Sequence, residues 1–247
     1  MSQLNDIPLA TLHFYVTAPY TCSYLPDLLA RSQVAAPNLL ITPPVYSELV
    51  QHGFRRSGTY TYRPRCDTCQ ACIPLRVAAR EFTRSRSQRR AWKQHEGLCA
   101  SLHDLQDQPE YYELYQRYQT ARHKNGGMDN DDYESYQSFL LNSNVDSMLV
   151  EFRDADSDGA PGKLRMVSVI DLLHDGISSV YTFFDPDLEH SSFGVYNVLW
   201  QIDLCRQLKL DYVYLGYWIK DSQKMSYKTQ YQPAQGLIDG SWQALKK

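Results

Sequence analysis

The 247-residue chain lacks any run approaching the ~18–20 uninterrupted apolar residues that a membrane-crossing helix requires, so no membrane partner is expected. Its first twenty residues, MSQLNDIPLATLHFYVTAPY, carry neither an early positive charge nor an apolar core segment. No export signal is expected there, and the cytoplasm is the expected compartment. Internal repeats and low-complexity tracts are missing as well. Six cysteines (22, 66, 69, 72, 99 and 205) are too sparse in a chain of this length to staple a disulfide scaffold. In a reducing compartment, the cluster at 66–72 reads instead as thiol or metal chemistry. A content of 43% hydrophobic and 21% charged residues suffices for a packed core and argues against disorder.

The net charge of −3 conceals an internal division. Between Gly53 and Lys93 eleven basic residues face only Asp67 and Glu81, a local charge of +9, while the remainder of the chain carries −12. Ten of the eleven are arginines, whose planar forks suit phosphate. Tyr60, Tyr62, Phe82 and Trp92 are interleaved with them, and aromatic rings can stack on exposed bases. The stretch predicts an RNA-facing surface, with Arg84, Arg86, Arg89 and Arg90 as tRNA-binding candidates. The plainer alternative is an ordinary solvated face.

Periodicity and punctuation outline the elements. TPPVYSELVQHGF reads as a helix opened by Thr42 and closed by Gly53. GTYTYRP and IPLRVAAREF read as strands, and SRSQRRAWKQHEG as a helix capped by Ser85 or Ser87. PEYYELYQRYQTARHKN is a third helix, with Pro109 in its first turn and Tyr111, Leu114, Tyr115 and Tyr118 at helical spacing. Asp131 or Asp132 opens another, through about Leu141. Three strands follow in SMLVEFR, KLRMVSVIDLL and ISSVYTFFD, then the helix GVYNVLWQIDLCRQLKL and the strand DYVYLGYW. The order predicts an α+β architecture. It divides into a smaller Cys- and Arg-rich N-terminal module (1–100) and a C-terminal domain (101–247) with the element order of a GCN5-related acyltransferase.

Cys66-Asp67-Thr68-Cys69-Gln70-Ala71-Cys72 spaces three thiols as zinc or iron–sulfur ligands are spaced, with Cys22 as the candidate fourth. Small, partly buried thiols that bind nothing are the even-handed alternative. Asp154-x-Asp156-x-Asp158-Gly159 imitates the start of a calcium loop, but the twelfth position is Arg165 and both flanks read as strands. It is a solvated hairpin loop.

TAPYTCSYLP, GFRRSGTYTYRPRCDTCQACIPLRV and FTRSRSQRR, followed by YELYQRYQTARHKNGGMD, YTFFDPDLEHSSFGVYNVLWQI and YLGYWIKDSQKMSYKTQYQP, resemble in this order the arginyl-/leucyl-tRNA–protein transferase family. The blocks span roughly residues 17–235. The resemblance, closest to the short bacterial branch, implies transfer of an amino acid, expected to be leucine, from aminoacyl-tRNA to proteins with N-terminal Asp or Glu, marking them for degradation. No cofactor is required for the transfer chemistry itself. Longer relatives transfer arginine and begin with a C-x-x-C pair where this chain has Cys22-Ser23-Tyr24-Leu25.

An aminoacyl ester is already activated, so the reaction needs an α-amine stripped of its proton and a stabilised tetrahedral oxyanion. The family-like strand ends and the Ser-Tyr-Lys turn place the catalytic candidates at Tyr181, Asp185, Tyr217, Tyr227 and Lys228. Asp185 is the expected holder or proton acceptor of the ammonium; a tyrosine or Lys228 is the expected oxyanion donor. Arg76 is the expected partner of the acceptor carboxylate, with His123 and Asp129 beside it as secondary candidates. Two rivals stay open. A coenzyme-A-dependent N-acetyltransferase would want a Gly-rich pyrophosphate loop where HSSFGVYN offers only Gly194. A noncatalytic RNA-binding metal protein would leave the C-terminal blocks unexplained.

Overall fold

A computed structural model describes residues 11–122, 132–157, 159–188 and 191–245. His123 and Asp129 lie outside the described residues, as does Asp158 of the acidic loop. The chain is mixed α/β, built on one large sheet.

Among the described residues that sheet has eight strands. β8 (Cys99–Asp104), β9 (Ser147–Arg153), β10 (Leu164–Leu172) and β11 (Gly176–Phe184) form an antiparallel meander. β12 (Tyr212–Trp218) then runs parallel to β11, and β7 (Ile73–Ala78), β13 (Ala234–Ile238) and β14 (Ser241–Leu245) complete the order β14-β13-β7-β12-β11-β10-β9-β8. β7 precedes the expected boundary at residue 100, yet it is hydrogen-bonded on one side to β12 and on the other to β13. Residues from both sides of that boundary share one sheet.

Both faces of the sheet are covered, which is why its central strands read as nearly continuous apolar runs. Along β10, Met166 and Ile170 enter one cluster and Val167 and Val169 the other, as a period of two requires. The first cluster lies under α5 (Phe193–Gln207), against which α2 (Arg86–Gln94) packs. The second lies under α3 (Pro109–Arg122) and the turn that follows α4 (Tyr133–Tyr136). α2 opens with a reciprocal capping box: the Gln88 backbone N–H donates to Ser85 Oγ, and Gln88 returns an acceptor to the Ser85 N–H. Asp132 caps α4 through the Ser135 N–H at 2.9 Å, and a single π turn carries the helix on to Leu141.

A second sheet is made by β1 (His13–Val16), β4 (Ser32–Ala36), β6 (Tyr60–Pro64) and β5 (Arg55–Ser57) in the order β1-β4-β6-β5, with β2 (Tyr20–Thr21) and β3 (Leu29–Ala30) as a separate pair. α1 (Pro43–Gln51) joins this sheet to the large one through a third apolar cluster that includes Phe54, Leu173 and Tyr214. The helix begins after Thr42 and is followed by Gly53 at φ +84°, as the punctuation predicts. Between β9 and β10, Asp154 accepts from Arg165 and Asp156 from the Gly162 N–H, so the acidic loop is held by the protein's own donors. Among the described residues no helix is long and apolar enough to cross a membrane.

Candidate active site

β11 and β12 are paired only from Gly176–Ser178 to Tyr212–Tyr214 and then separate into a wedge. Backbone groups on the inner edges of such a wedge lose their ladder partners and must be satisfied otherwise. Two long cationic side chains do this, one on each wall. Arg55, reaching across from β5, donates through Nη2 to the carbonyls of Ser179 (2.7 Å) and Val180 (3.1 Å). Lys228, on the 3₁₀ turn Ser226–Gln230, donates through Nζ to the Tyr217 carbonyl at 2.8 Å. β12 is irregular where the two approach, and Gly216 there has φ +72°. A Cβ on Gly216 would come within 2.1 Å of Arg55 Nη1, so glycine is needed both for the backbone angle and for the approach of the guanidinium.

Neither cation has a carboxylate within ion-pair distance among the described residues. Lys228 is 6% exposed. Its pKa is lowered to about 7, chiefly by burial and further by the positive charge of Arg55. Tyr217 is buried beside it and donates to the Gly53 carbonyl at 2.9 Å; burial pushes its phenol well above the ordinary value. Tyr227 remains open to solvent, 42% exposed. Of the residues predicted from sequence, Tyr217, Tyr227 and Lys228 are therefore brought together.

The others sit elsewhere. Tyr181 follows Val180 on β11 but turns its ring toward α3, 5.1 Å from Phe139, with its hydroxyl 3.4 Å from Gln119. Asp185, at the end of β11, is 1% exposed and accepts from Arg117 (2.6 Å), Arg165 (2.9 Å) and Lys163 (3.0 Å). Burial alone would raise its pKa, but these bonds and the Asp187 N–H hold it below the usual carboxylate range. A carboxylate so paired is a weak proton acceptor. Arg76 lies opposite Tyr214, toward the closed end of the strand pair. Its guanidinium is stacked 3.6 Å from the Tyr212 ring and 4.3 Å from Trp242, and donates to Gln235 and to the Tyr214 hydroxyl.

The four predicted tRNA-binding arginines, Arg84 just ahead of α2 and the other three on it, divide. Arg84 pairs with Asp203 and stacks over Trp92 at 3.7 Å, whereas Arg86, Arg89 and Arg90 are exposed. Gln88, on the buried face of the helix, donates to the Gln230 carbonyl at 3.2 Å. The basic helix is thus docked on the turn that carries Lys228, although 140 residues separate them in sequence.

Cys22, Cys66, Cys69 and Cys72 all line one cavity of about 170 Å³, together with Tyr24, Leu28 and Tyr217. Four thiols are chemically adequate for zinc or an iron–sulfur cluster. Their arrangement is not: among the described residues no three His, Cys, Asp or Glu side chains converge so as to hold a metal ion. Burial, reinforced by the other three sulfurs, pushes the Cys72 thiol up to about 12.

Arg55 and Gly216 were not distinguished by sequence. Arg55 is one of eleven cations in a run. Gly216 did leave a signal, since an isolated glycine inside a strand pattern marks a bulge or a close approach.

A basic helix docked on a turn whose buried lysine faces a split sheet is matched by kinship. The chain fits the family described as arginine-tRNA-protein transferase, its N-terminal part over residues 20–90 and its C-terminal part over 110–238. It belongs to that family, and it is an aminoacyltransferase. More particularly, it is 60% identical over 246 residues to the aspartate/glutamate leucyltransferase of Nitrosospira multiformis, covering 100% of this chain and 96% of the relative. It is 58% identical to the protein of the same name from Polynucleobacter asymbioticus, over 99% of each. Among solved structures, FemX aligns with a TM-score of 0.46 at 7% identity, over 90% of this chain and 83% of FemX.

Proposed function

We infer that the chain transfers leucine from leucyl-tRNA to the α-amine of proteins beginning with Asp or Glu, and that the two substrates meet at the mouth of the β11–β12 wedge. The observation that carries the location is the pair of uncompensated cations, Arg55 and Lys228, on the wedge walls. The names of the full-length relatives support leucine as donor and acidic residues as acceptors. The parallel pair that splits beside an antiparallel meander supports a GCN5-related acyltransferase-like reading of the fold.

The acceptor's α-amine, with an unperturbed pKa of roughly 8, sheds a proton with little help. Its nitrogen then attacks the ester carbonyl of the aminoacyl group. A tetrahedral oxyanion forms and collapses, the new amide C–N bond remains, and the ribose oxygen of the tRNA end leaves with a proton. Since the ester is activated beforehand, positioning supplies much of the rate. The wedge offers a fixed, partly buried cationic seat for that purpose. Tyr227, next to Lys228 on the same turn and close enough to feel the charge of Arg55, supplies a hydroxyl for a reacting group. The exposed Arg86, Arg89 and Arg90 of α2 supply the sequence-independent hold on tRNA phosphates. The product is read as a degradation signal in the cytoplasm, where charged tRNA is made.

The direct test offers the purified protein an Asp-starting peptide with tRNA charged separately with labelled Leu, Arg or Phe. Label is expected to move from leucyl-tRNA. Transfer from arginyl-tRNA alone would overturn leucine as donor, and no transfer from any of the three would overturn the reading.

A further inference from the structure

We propose that the side-chain carboxylate of the acceptor's first residue binds between Arg55 and Lys228, bridging the two walls of the wedge. The assignment rests on the transfer reading above and names the residues that make it selective for acidic N-termini.

The geometry begins with two cations that reach the wedge from different elements, Arg55 from β5 and Lys228 from the 3₁₀ turn. Lys228 spends one of its three donors on the Tyr217 carbonyl. Arg55 spends Nη2 on Ser179 and Val180, and its Nε and Nη1 have no acceptor among the described residues. The two cations are close enough for the charge of Arg55 to be felt at Lys228, and neither is answered by a carboxylate among the described residues. Capping the orphaned carbonyls does not explain them. A neutral amide would satisfy a carbonyl equally well, without the cost of taking a charge out of water. Retaining charge at both positions, with no carboxylate supplied by the described residues, calls for an anion from outside.

Size decides which anion. With Lys228 only 6% exposed, a group that reaches it must be small. A phosphodiester, flanked by two riboses, does not fit such a depth; the phosphate-facing cations are the exposed ones of α2. Arg76, the expected partner from sequence, is already enclosed by Tyr212, Trp242, Gln235 and Tyr214. A neutral Asn side chain in the wedge would leave two cations unmatched, which is how such a site discriminates strongly.

The experiment uses the full chain carrying Lys228→Gln or Arg55→Gln, substitutions that keep a donor for the wedge carbonyls and remove the charge. Transfer from leucyl-tRNA is followed to peptides that differ only in their first residue, Asp, Glu or Asn. Binding of the Asp and Asn peptides without tRNA is measured by calorimetry. Wild-type preference for Asp over Asn should fall at least about tenfold in each variant, with the loss appearing as weaker Asp-peptide binding. Lys228→Arg should recover part of it. An equal fall for Asp and Asn peptides would overturn the assignment and place the cations on a step common to all acceptors. Weaker tRNA binding with unaltered peptide binding would overturn it in favour of a phosphate. If the wild type transferred leucine to no acidic peptide, the transfer reading itself would fail; wild-type transfer with full discrimination in both variants would overturn this assignment alone.

Discussion

Arg55 and Arg56 are neighbours on β5, identical in type, and point to opposite sides of it, as successive strand residues must. Arg56 turns toward the sheet-to-sheet junction, where it is 5% exposed and meets both oxygens of Asp171 at 2.9 and 3.0 Å. Ser147 and the Gly58 carbonyl take its remaining donors, and Tyr46 and Ser147 both donate to Asp171. Every polar atom of that junction is answered from within the protein. Arg55 turns into the wedge and finds carbonyls but no counter-charge among the described residues. The difference separates a charge that holds the two sheets together from one that waits for a substrate, and nothing in the two residues themselves encodes it.

The largest effect expected from this contrast is on stability. Arg56→Met would leave Asp171, a side chain with no exposure, without its cation. Urea denaturation should show a loss of about 3–5 kcal/mol. Arg55→Met should cost less, about 1–3 kcal/mol, because it strands the Ser179 and Val180 carbonyls but no buried charge. Equal losses would erase the distinction.

A second measurement sharpens the wedge itself. The charged and titratable groups around Lys228 are Arg55 from β5, Tyr217 from β12 and Tyr227 from its own turn. With the Lys228 pKa near 7, the ammonium is present below that pH and lost above it. Affinity for an Asp-starting peptide should therefore be steady from about pH 5 to 7 and fall as pH rises past 7, by up to about tenfold per unit. In Lys228→Gln the fall should vanish. Peptide binding across pH 5–9 in both proteins checks this; a parallel fall in the variant would assign the titration to another group.

The smallest effect divides Arg84, just ahead of α2, from the arginines on it. Replacing Arg86 and Arg90 together should weaken tRNA binding and flatten its salt dependence by about one to two units of slope. Arg84→Ala should leave the slope alone and lower stability instead, since its fork is spent on Asp203 and its plane on Trp92. A salt titration of tRNA binding across the three proteins distinguishes them. An equal change of slope for Arg84 would restore the four as one group.

Local pattern made much of this architecture legible. Pro109 and the tyrosine spacing marked α3, Ser85, one of the two expected caps, marked the start of α2, and the apolar runs marked the meander, because caps and side-chain periods act within a few residues. The place of β7 was not legible. Strand pairing is a long-range choice, and IPLRV carries no sign that it will lie between β12 and β13. For the same reason Arg76, the expected partner of the acceptor carboxylate, is stacked between rings in the structure, and the burial of Lys228 could not be read from its turn.

Sequence by itself determined the family, the α and β segments, the basic stretch around α2, and the presence of Tyr217, Tyr227 and Lys228 in the blocks that carry the resemblance. These are properties of composition, spacing and order, which survive without coordinates. Tertiary structure alone decided which cations have partners. It brought β5 across to the wedge, buried Lys228, closed Arg76 between two rings and surrounded Asp185 with three cations. Charge is written into the chain residue by residue, but its consequence depends on burial and on the distance to an opposite charge, and both are set only when segments distant in sequence pack together.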